Sequence, residues 1–121
     1  MKWVVAVTIG AIGGALLRVG LQRWLNPSPI APVGTWMVNM GGAFLMGLLM
    51  PLAHKGLSPV VFYGATAGFC GSFTTFSSIM LEVFEMLRLG QFVQAGLYVL
   101  ITVGVGLLAF IGGYSLGVRW A

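Results

Sequence analysis

Long uncharged stretches separated by short polar segments dominate the chain. They cover residues 3–17, 24–53, 60–81 and 89–118, and a helix needs roughly 20 mostly apolar residues to cross a bilayer. The pattern predicts an all-α integral membrane protein, a single transmembrane domain over residues 1–121, with helices at about 3–24, 33–53, 59–88 and 91–118. The first helix continues through Arg18, because its uncharged run alone is too short.

The segments between these runs carry turn and capping residues. Pro27, Pro29 and Pro32 follow the first helix closely and predict an extended linker. Before the third helix, Ser58 is a candidate N-cap and Pro59 occupies the first helical position.

A cluster of hydroxyl side chains interrupts the third predicted helix. Residues 71–78 read Gly-Ser-Phe-Thr-Thr-Phe-Ser-Ser. Hydrocarbon offers no water to such groups, so they persist only where they face protein or a hydrated path. These residue types are also poor helix formers. The cluster predicts a break that exposes backbone carbonyls to ions; the alternative is that the hydroxyls only bond back to their own helix.

Composition supports the membrane assignment. The chain is 59% hydrophobic and 7% charged, whereas soluble domains carry about 25% charged residues. Its formal net charge of +4 comes from basic residues that are scattered singly. They predict interfacial anchors and no nucleic-acid partner. Cys70 is the single cysteine, so neither an intrachain disulfide nor a cysteine metal site is expected.

The basic residues also bear on orientation. Four helices would place them in two groups of equal size, with Lys2, Lys55 and Arg119 on one side of the membrane and Arg18, Arg23 and Arg88 on the other. Because an excess of positive charge favours the cytoplasmic side, this balance predicts insertion in both orientations and an antiparallel homodimer. Alternatively, a buried Arg18 does not count, and a weak bias fixes one orientation.

Three sequence blocks together resemble the Fluc (CrcB) fluoride channels of bacteria. They are residues 13–18, residues 34–39 with Gly42, Phe44 and Gly47, and residues 68–78. The resemblance implies an antiparallel dual-topology homodimer in the bacterial cytoplasmic (inner) membrane, with lipid around it and two fluoride pathways. It also implies passive fluoride export, fluoride resistance and a sodium ion at the dimer centre.

The resemblance assigns roles to individual residues. The Gly71 and Thr74 carbonyls match the sodium ligands, two from each subunit, and Arg18 and Glu82 match charges at the pore mouths. The implied fluoride pathway is lined by Asn39, Phe76, Ile79, Ser77, Thr75, Thr35, Tyr98 and Thr102.

One position departs from the family pattern. Ile79 stands where the family usually has a second pore phenylalanine, and isoleucine cannot present a positive ring edge to an anion. The isoleucine is either natural here or an introduced pore substitution.

Neutral donors suit conduction of fluoride, which must lose its water without being bound too tightly. Each assignment has an ordinary structural alternative: Asn39 as an interhelical hydrogen bond, Phe76 as a packing residue, and Arg18 and Glu82 as interfacial anchors.

A small proton-coupled multidrug transporter, the alternative function, needs a carboxylate deep in its first helix, where this chain has none. A non-conducting packing subunit would leave the hydroxyl cluster unexplained, and no catalytic constellation predicts an enzyme.

Overall fold

Four helices long and apolar enough to cross a membrane make up the computed structural model, which describes residues 1–28 and 30–120. Pro29 of the predicted linker and Ala121 lie outside the described residues. The described residues form no strand beyond one isolated bridge between Ser28 and Ala31. The predicted all-helical class and the four spans are confirmed, and the chain is a multi-pass membrane protein.

Three of the spans are continuous helices: α1 (Lys2–Leu25), α2 (Val33–Ala53) and α6 (Phe92–Trp120). The third span is divided. It contains α3 (Pro59–Tyr63), a π-helical segment (Gly64–Cys70), α4 (Gly71–Phe73) and, after the extended residues Thr74 and Thr75, α5 (Phe76–Arg88). The break therefore lies inside the hydroxyl cluster.

Glycines allow close backbone contact between the helices. A Cβ at Gly47 of α2 would run into the Phe110 carbonyl of α6, and one at Gly113 of α6 would run into the Phe44 carbonyl of α2. Lipid tails are as apolar as the side chains, so membrane helices associate largely through such close packing. The α2–α6 pair is the most extensive helix contact in the molecule.

The first helix packs on the π-helical segment in the same way. A Cβ at Gly10 would meet the Gly64 carbonyl, and one at Gly14 would meet the Phe69 carbonyl. This contact places α1 beside the first half of the third span, so that polar side chains on α1 can reach the break.

On helix α5 a charged side chain faces inward and large apolar side chains face outward, which is the opposite of a surface helix in a soluble protein. It buries Glu82 together with Ile79 and Met86, while Leu81 and Phe84 are exposed. An apolar outer face and a carboxylate on the inner face suit a helix that meets lipid or another apolar protein surface. The carboxylate of Glu82 therefore lies inside the bundle.

Two local expectations can be compared with the structure. Ser58 is the N-cap residue of α3 and Pro59 begins the helix, as predicted, although the Ser58 side chain makes no capping hydrogen bond. At the other end of the third span, the spacing of Glu85 and Arg88 by three residues predicts a pair at the membrane surface. The Arg88 guanidinium donates to Glu85 at 2.6 Å, which confirms this pair.

Candidate functional site

The side chain of Asn39 on α2 holds the helix break open. The Thr75 N–H donates to Asn39 Oδ1 at 2.7 Å, and Asn39 Nδ2 donates to the Thr75 carbonyl at 3.2 Å. In an uninterrupted α-helix the Thr75 N–H would bond to the Gly71 carbonyl. Asn39, only 9% exposed, replaces that bond.

Thr75 then starts the second half of the span. Its Oγ1 accepts from the Ser78 N–H at 3.2 Å and caps α5. In a continuous helix that N–H would bond to the Thr74 carbonyl. The carbonyls of Gly71 and Thr74, which the family resemblance implies as sodium ligands, thus both lose their usual helical donors.

A cavity of about 330 Å³ lies beside the break. It brings together five of the predicted pathway residues from α2, the third span and α6, namely Asn39, Thr75, Phe76, Ile79 and Thr102. The Thr102 hydroxyl is buried and has no hydrogen-bond partner among the described residues. A buried hydroxyl without a partner carries a desolvation cost and remains free to donate to an acceptor in the cavity.

Ile79 and Phe76 line this cavity differently. Ile79 is buried, whereas the Phe76 side chain, at the start of α5, is 73% exposed. Ser77 is exposed beside Phe76. The cavity is therefore walled on one side and open on the other, where Phe76 and Ser77 face outward.

A second polar cluster surrounds Glu82, which is 5% exposed. Its Oε2 accepts from the Thr35 hydroxyl at 2.6 Å and from the Asn26 amide at 3.3 Å, and its Oε1 accepts from the Tyr98 hydroxyl at 2.9 Å. Thr35 and Tyr98 thus lie together, apart from the cavity at the break. The interpretation of Glu82 as an exposed anchor does not fit its burial.

Arg18 of α1 reaches toward the end of α4. Its Nε donates to the Ser72 carbonyl at 2.9 Å, and its Nη1 donates to Gln22 Oε1 at 3.2 Å. The last turn of a helix has carbonyls without helical donors, so the guanidinium stabilises the end of α4. Arg18 and Glu82 make no direct ion pair.

Sequence reasoning missed Gln22 and Asn26. Gln22 Nε2 donates to the hydroxyls of Thr35 and Ser78, at 3.0 and 3.1 Å. Asn26 Oδ1 accepts from the Gly34 N–H at 2.6 Å and so caps α2 from eight residues away. The signal was available: Arg18, Gln22 and Asn26 are spaced by four, which places polar groups along one face of α1.

Known proteins resemble this chain over most of its length. Residues 5–114 match the family described as CrcB-like protein, Camphor Resistance (CrcB). A fluoride-specific ion channel FluC from Marinobacter nauticus is 44% identical over 99 residues, covering 78% of this chain and 79% of the relative. The fluoride-specific ion channel FluC 1 of Symbiobacterium thermophilum is 38% identical over 122 residues, covering 97% and 98%.

A further relative, the fluoride-specific ion channel FluC 2 of Streptococcus pneumoniae strain R6, is 38% identical over 104 residues, 84% of each chain. All three relatives are named as ion channels, a non-enzymatic class. The resemblance stated from the sequence blocks is confirmed: the chain belongs to the CrcB-like family.

Proposed function

We propose that this protein is a fluoride-selective channel that lets fluoride move passively down its electrochemical gradient. The observation that carries the proposal is the cavity at the helix break, where the Thr102 hydroxyl lies buried without a partner. The names of the three relatives support fluoride as the ion.

The donors beside this cavity are neutral. Asn39 has one amide N–H beyond the one that it gives to Thr75, and Thr102 and Ser77 add hydroxyls. Neutral donors replace the water around a small anion without holding it as tightly as a cationic side chain would, and conduction requires such moderate binding. Phe76 adds a ring whose edge is positive, whereas Ile79 supplies only an apolar wall.

We propose further that the channel is an antiparallel homodimer with two pathways. Phe76 is largely exposed, and a Cβ at Gly71 would meet nothing nearer than the Thr66 carbonyl at 3.7 Å. A second copy would cover these outward-facing positions and close the open side of the cavity. The equal numbers of basic residues at the two membrane faces support insertion in both orientations.

Sodium is the cation that we propose for the dimer centre. Hard cations prefer oxygen ligands, and the carbonyls of Gly71 and Thr74 have lost their helical donors to Asn39 and Thr75. These carbonyls, contributed by both subunits, fit a small cation. When bound, sodium would supply a fixed positive charge between the two pathways.

The setting that we propose is the bacterial cytoplasmic membrane, with fluoride export and resistance to fluoride as the outcome. The multidrug transporter is less well supported. Such a transporter needs a carboxylate that is free to exchange protons and bind cations. Both Glu82 oxygens instead accept from Thr35, Asn26 and Tyr98.

The test is efflux from liposomes that contain the purified protein, followed with fluoride and chloride electrodes. We expect fluoride to leave and chloride to stay, and we expect replacement of sodium by a larger cation to slow the fluoride. Retention of fluoride by protein that is folded and dimeric would refute the proposal. Proton-driven uptake of a cationic dye in the same vesicles would favour the transporter instead.

Cysteine labelling tests the orientation. We expect a cysteine introduced at Lys55, on an exposed loop, to react with impermeant reagents from both sides of the membrane. Reaction from one side alone would show that one orientation is fixed and would refute the antiparallel dimer.

A further inference from the structure

We propose that Gln22 is a positioning residue for the fluoride pathway: it orients the Ser78 hydroxyl so that the proton of that hydroxyl is free for the anion. Gln22 acts through Thr35, one of the predicted pathway residues, and through Ser78. The inference rests on the proposed channel function, because it assigns a task within that pathway.

The first step is the orientation of the Gln22 amide. A guanidinium has N–H donors and no acceptor, so Arg18 fixes the amide with its oxygen toward Nη1, at 3.2 Å. Both amide N–H groups then point the other way. One reaches Thr35 Oγ1 at 3.0 Å and the other reaches Ser78 Oγ at 3.1 Å.

The second step concerns Ser78. A hydroxyl has one proton and two acceptor positions. Ser78 Oγ accepts from Gln22 at 3.1 Å and from the Thr75 hydroxyl at 3.1 Å, so both acceptor positions are filled. Its own proton has no acceptor among the described residues. Gln22 and Thr75 together make Ser78 a donor only, hydrogen-bonded to a residue that lines the cavity.

The third step concerns Thr35, which has the opposite assignment. Its oxygen accepts from Gln22 at 3.0 Å and from Asn26 at 2.9 Å, and its proton goes to Glu82 at 2.6 Å. Every hydrogen-bonding position of Thr35 is occupied. Glu82 therefore withdraws the Thr35 proton from donation to an anion, whereas Gln22 leaves the Ser78 proton available for it.

The test compares Gln22→Met with wild type in fluoride flux at a series of fluoride concentrations. Methionine keeps the length of the side chain and removes both amide donors. We expect the half-saturating fluoride concentration to rise about tenfold, the size of effect that one hydrogen bond to a charged partner has, with little change in the maximal flux. A merely structural role would lower the maximal flux through loss of active protein and leave the half-saturating concentration unchanged.

The matched control is Gln94→Met. Gln94 is an exposed glutamine on α6 whose amide donates to the Ile30 carbonyl at 2.8 Å. It makes no hydrogen bond to the polar clusters described above, so the same substitution should leave the half-saturating concentration at the wild-type value.

A second variant, Gln22→Glu, gives a pH readout. The ionised carboxylate keeps an acceptor for Arg18 but has no donor for Ser78 or Thr35. The protonated carboxyl regains one donor. Relative to wild type at the same pH, flux through this variant should therefore rise as the pH is lowered. If Gln22→Met does not fold, this variant carries the comparison.

Each outcome has one meaning. If wild type carries fluoride and Gln22→Met has an unshifted half-saturating concentration, the role of Gln22 is wrong and the channel function stands. A shift of equal size in Gln94→Met would also overturn the role. If folded, dimeric wild type carries no fluoride, the proposed function fails and the role of Gln22 fails with it.

Discussion

Replacing Asn39 with alanine removes the side chain that holds the helix break open. The variant loses the 2.7 Å bond from the Thr75 N–H and the 3.2 Å bond to the Thr75 carbonyl. Gly71 is the normal helical acceptor for that N–H, and Thr75 is extended, so the bond cannot re-form unless the break refolds. The partly buried Thr75 N–H is left without a protein acceptor.

The magnitude follows from these two bonds. A buried donor left without a partner costs about 1–3 kcal/mol, and measured hydrogen bonds between membrane helices average about 0.6 and reach about 1.7 kcal/mol. The two bonds together should therefore contribute about 2 kcal/mol to the free energy of unfolding. Fluoride flux should fall as well, because Asn39 also lines the cavity.

Thr102→Val is the contrasting variant. It removes a hydroxyl from the same cavity, but this hydroxyl has no partner among the described residues. Its loss should leave stability unchanged or raise it, since an unpartnered buried hydroxyl is unfavourable, while flux still falls. Unfolding in mild detergent, followed by tryptophan fluorescence, gives the stability of each variant, and liposome efflux gives the flux.

Comparison of these two variants separates the effect of the site on stability from its effect on fluoride flux. Asn39→Ala should lose stability and flux together, and Thr102→Val should lose flux alone. A Thr102→Val protein destabilised as much as Asn39→Ala would show that the hydroxyl is bonded in the folded protein. An Asn39→Ala protein of wild-type stability would refute the account of the break.

Three further substitutions test the packing and the polar clusters. Gly47→Leu places a side chain against the Phe110 carbonyl and should cost more than about 3 kcal/mol of stability or prevent folding. Gly104→Ala, which has open space around its Cβ, should keep the wild-type retention on size exclusion. Equal behaviour of the two variants on size exclusion would contradict the close α2–α6 packing. Glu82→Gln brings amide donors toward a site that already receives three and should lower the unfolding midpoint, so an unchanged midpoint would rule out the described hydrogen-bond arrangement. Ile79→Phe adds a ring edge beside the cavity and should raise fluoride flux; equal or lower flux from folded protein would mean that the ring edge contributes nothing at this position.

The sequence predicted the fold because membrane spans depend on composition over long windows. The uncharged runs and the hydroxyl cluster can be identified without knowing which residues are in contact in the folded protein. The structure accordingly has four spans, with extended residues at Thr74 and Thr75 in the third. The π-helical segment Gly64–Cys70 was not predicted. It depends on how α1 packs against these residues, and a pattern of residue types does not reveal that packing.

The candidate site was predicted as a set of residue types without their hydrogen-bond partners. Asn39, Thr75 and Thr102 do line one cavity. Thr35 and Tyr98 instead donate to Glu82. A sequence shows that a hydroxyl is present but not which acceptor takes its proton, since that choice depends on helices far apart in the chain.

The arrangement of Arg18 and Glu82 shows why these partners matter for an anion pathway. A direct ion pair between two partly buried groups would neutralise the positive charge that attracts an anion. Gln22 and Thr35 lie between them, so the chain of hydrogen bonds runs from Arg18 through these two neutral residues to Glu82. Neutral donors satisfy the carboxylate, and the guanidinium is held by a carbonyl and an amide oxygen. Each charge is thus fixed in place without cancelling the other, and the hydroxyl protons near the break are set by neutral neighbours.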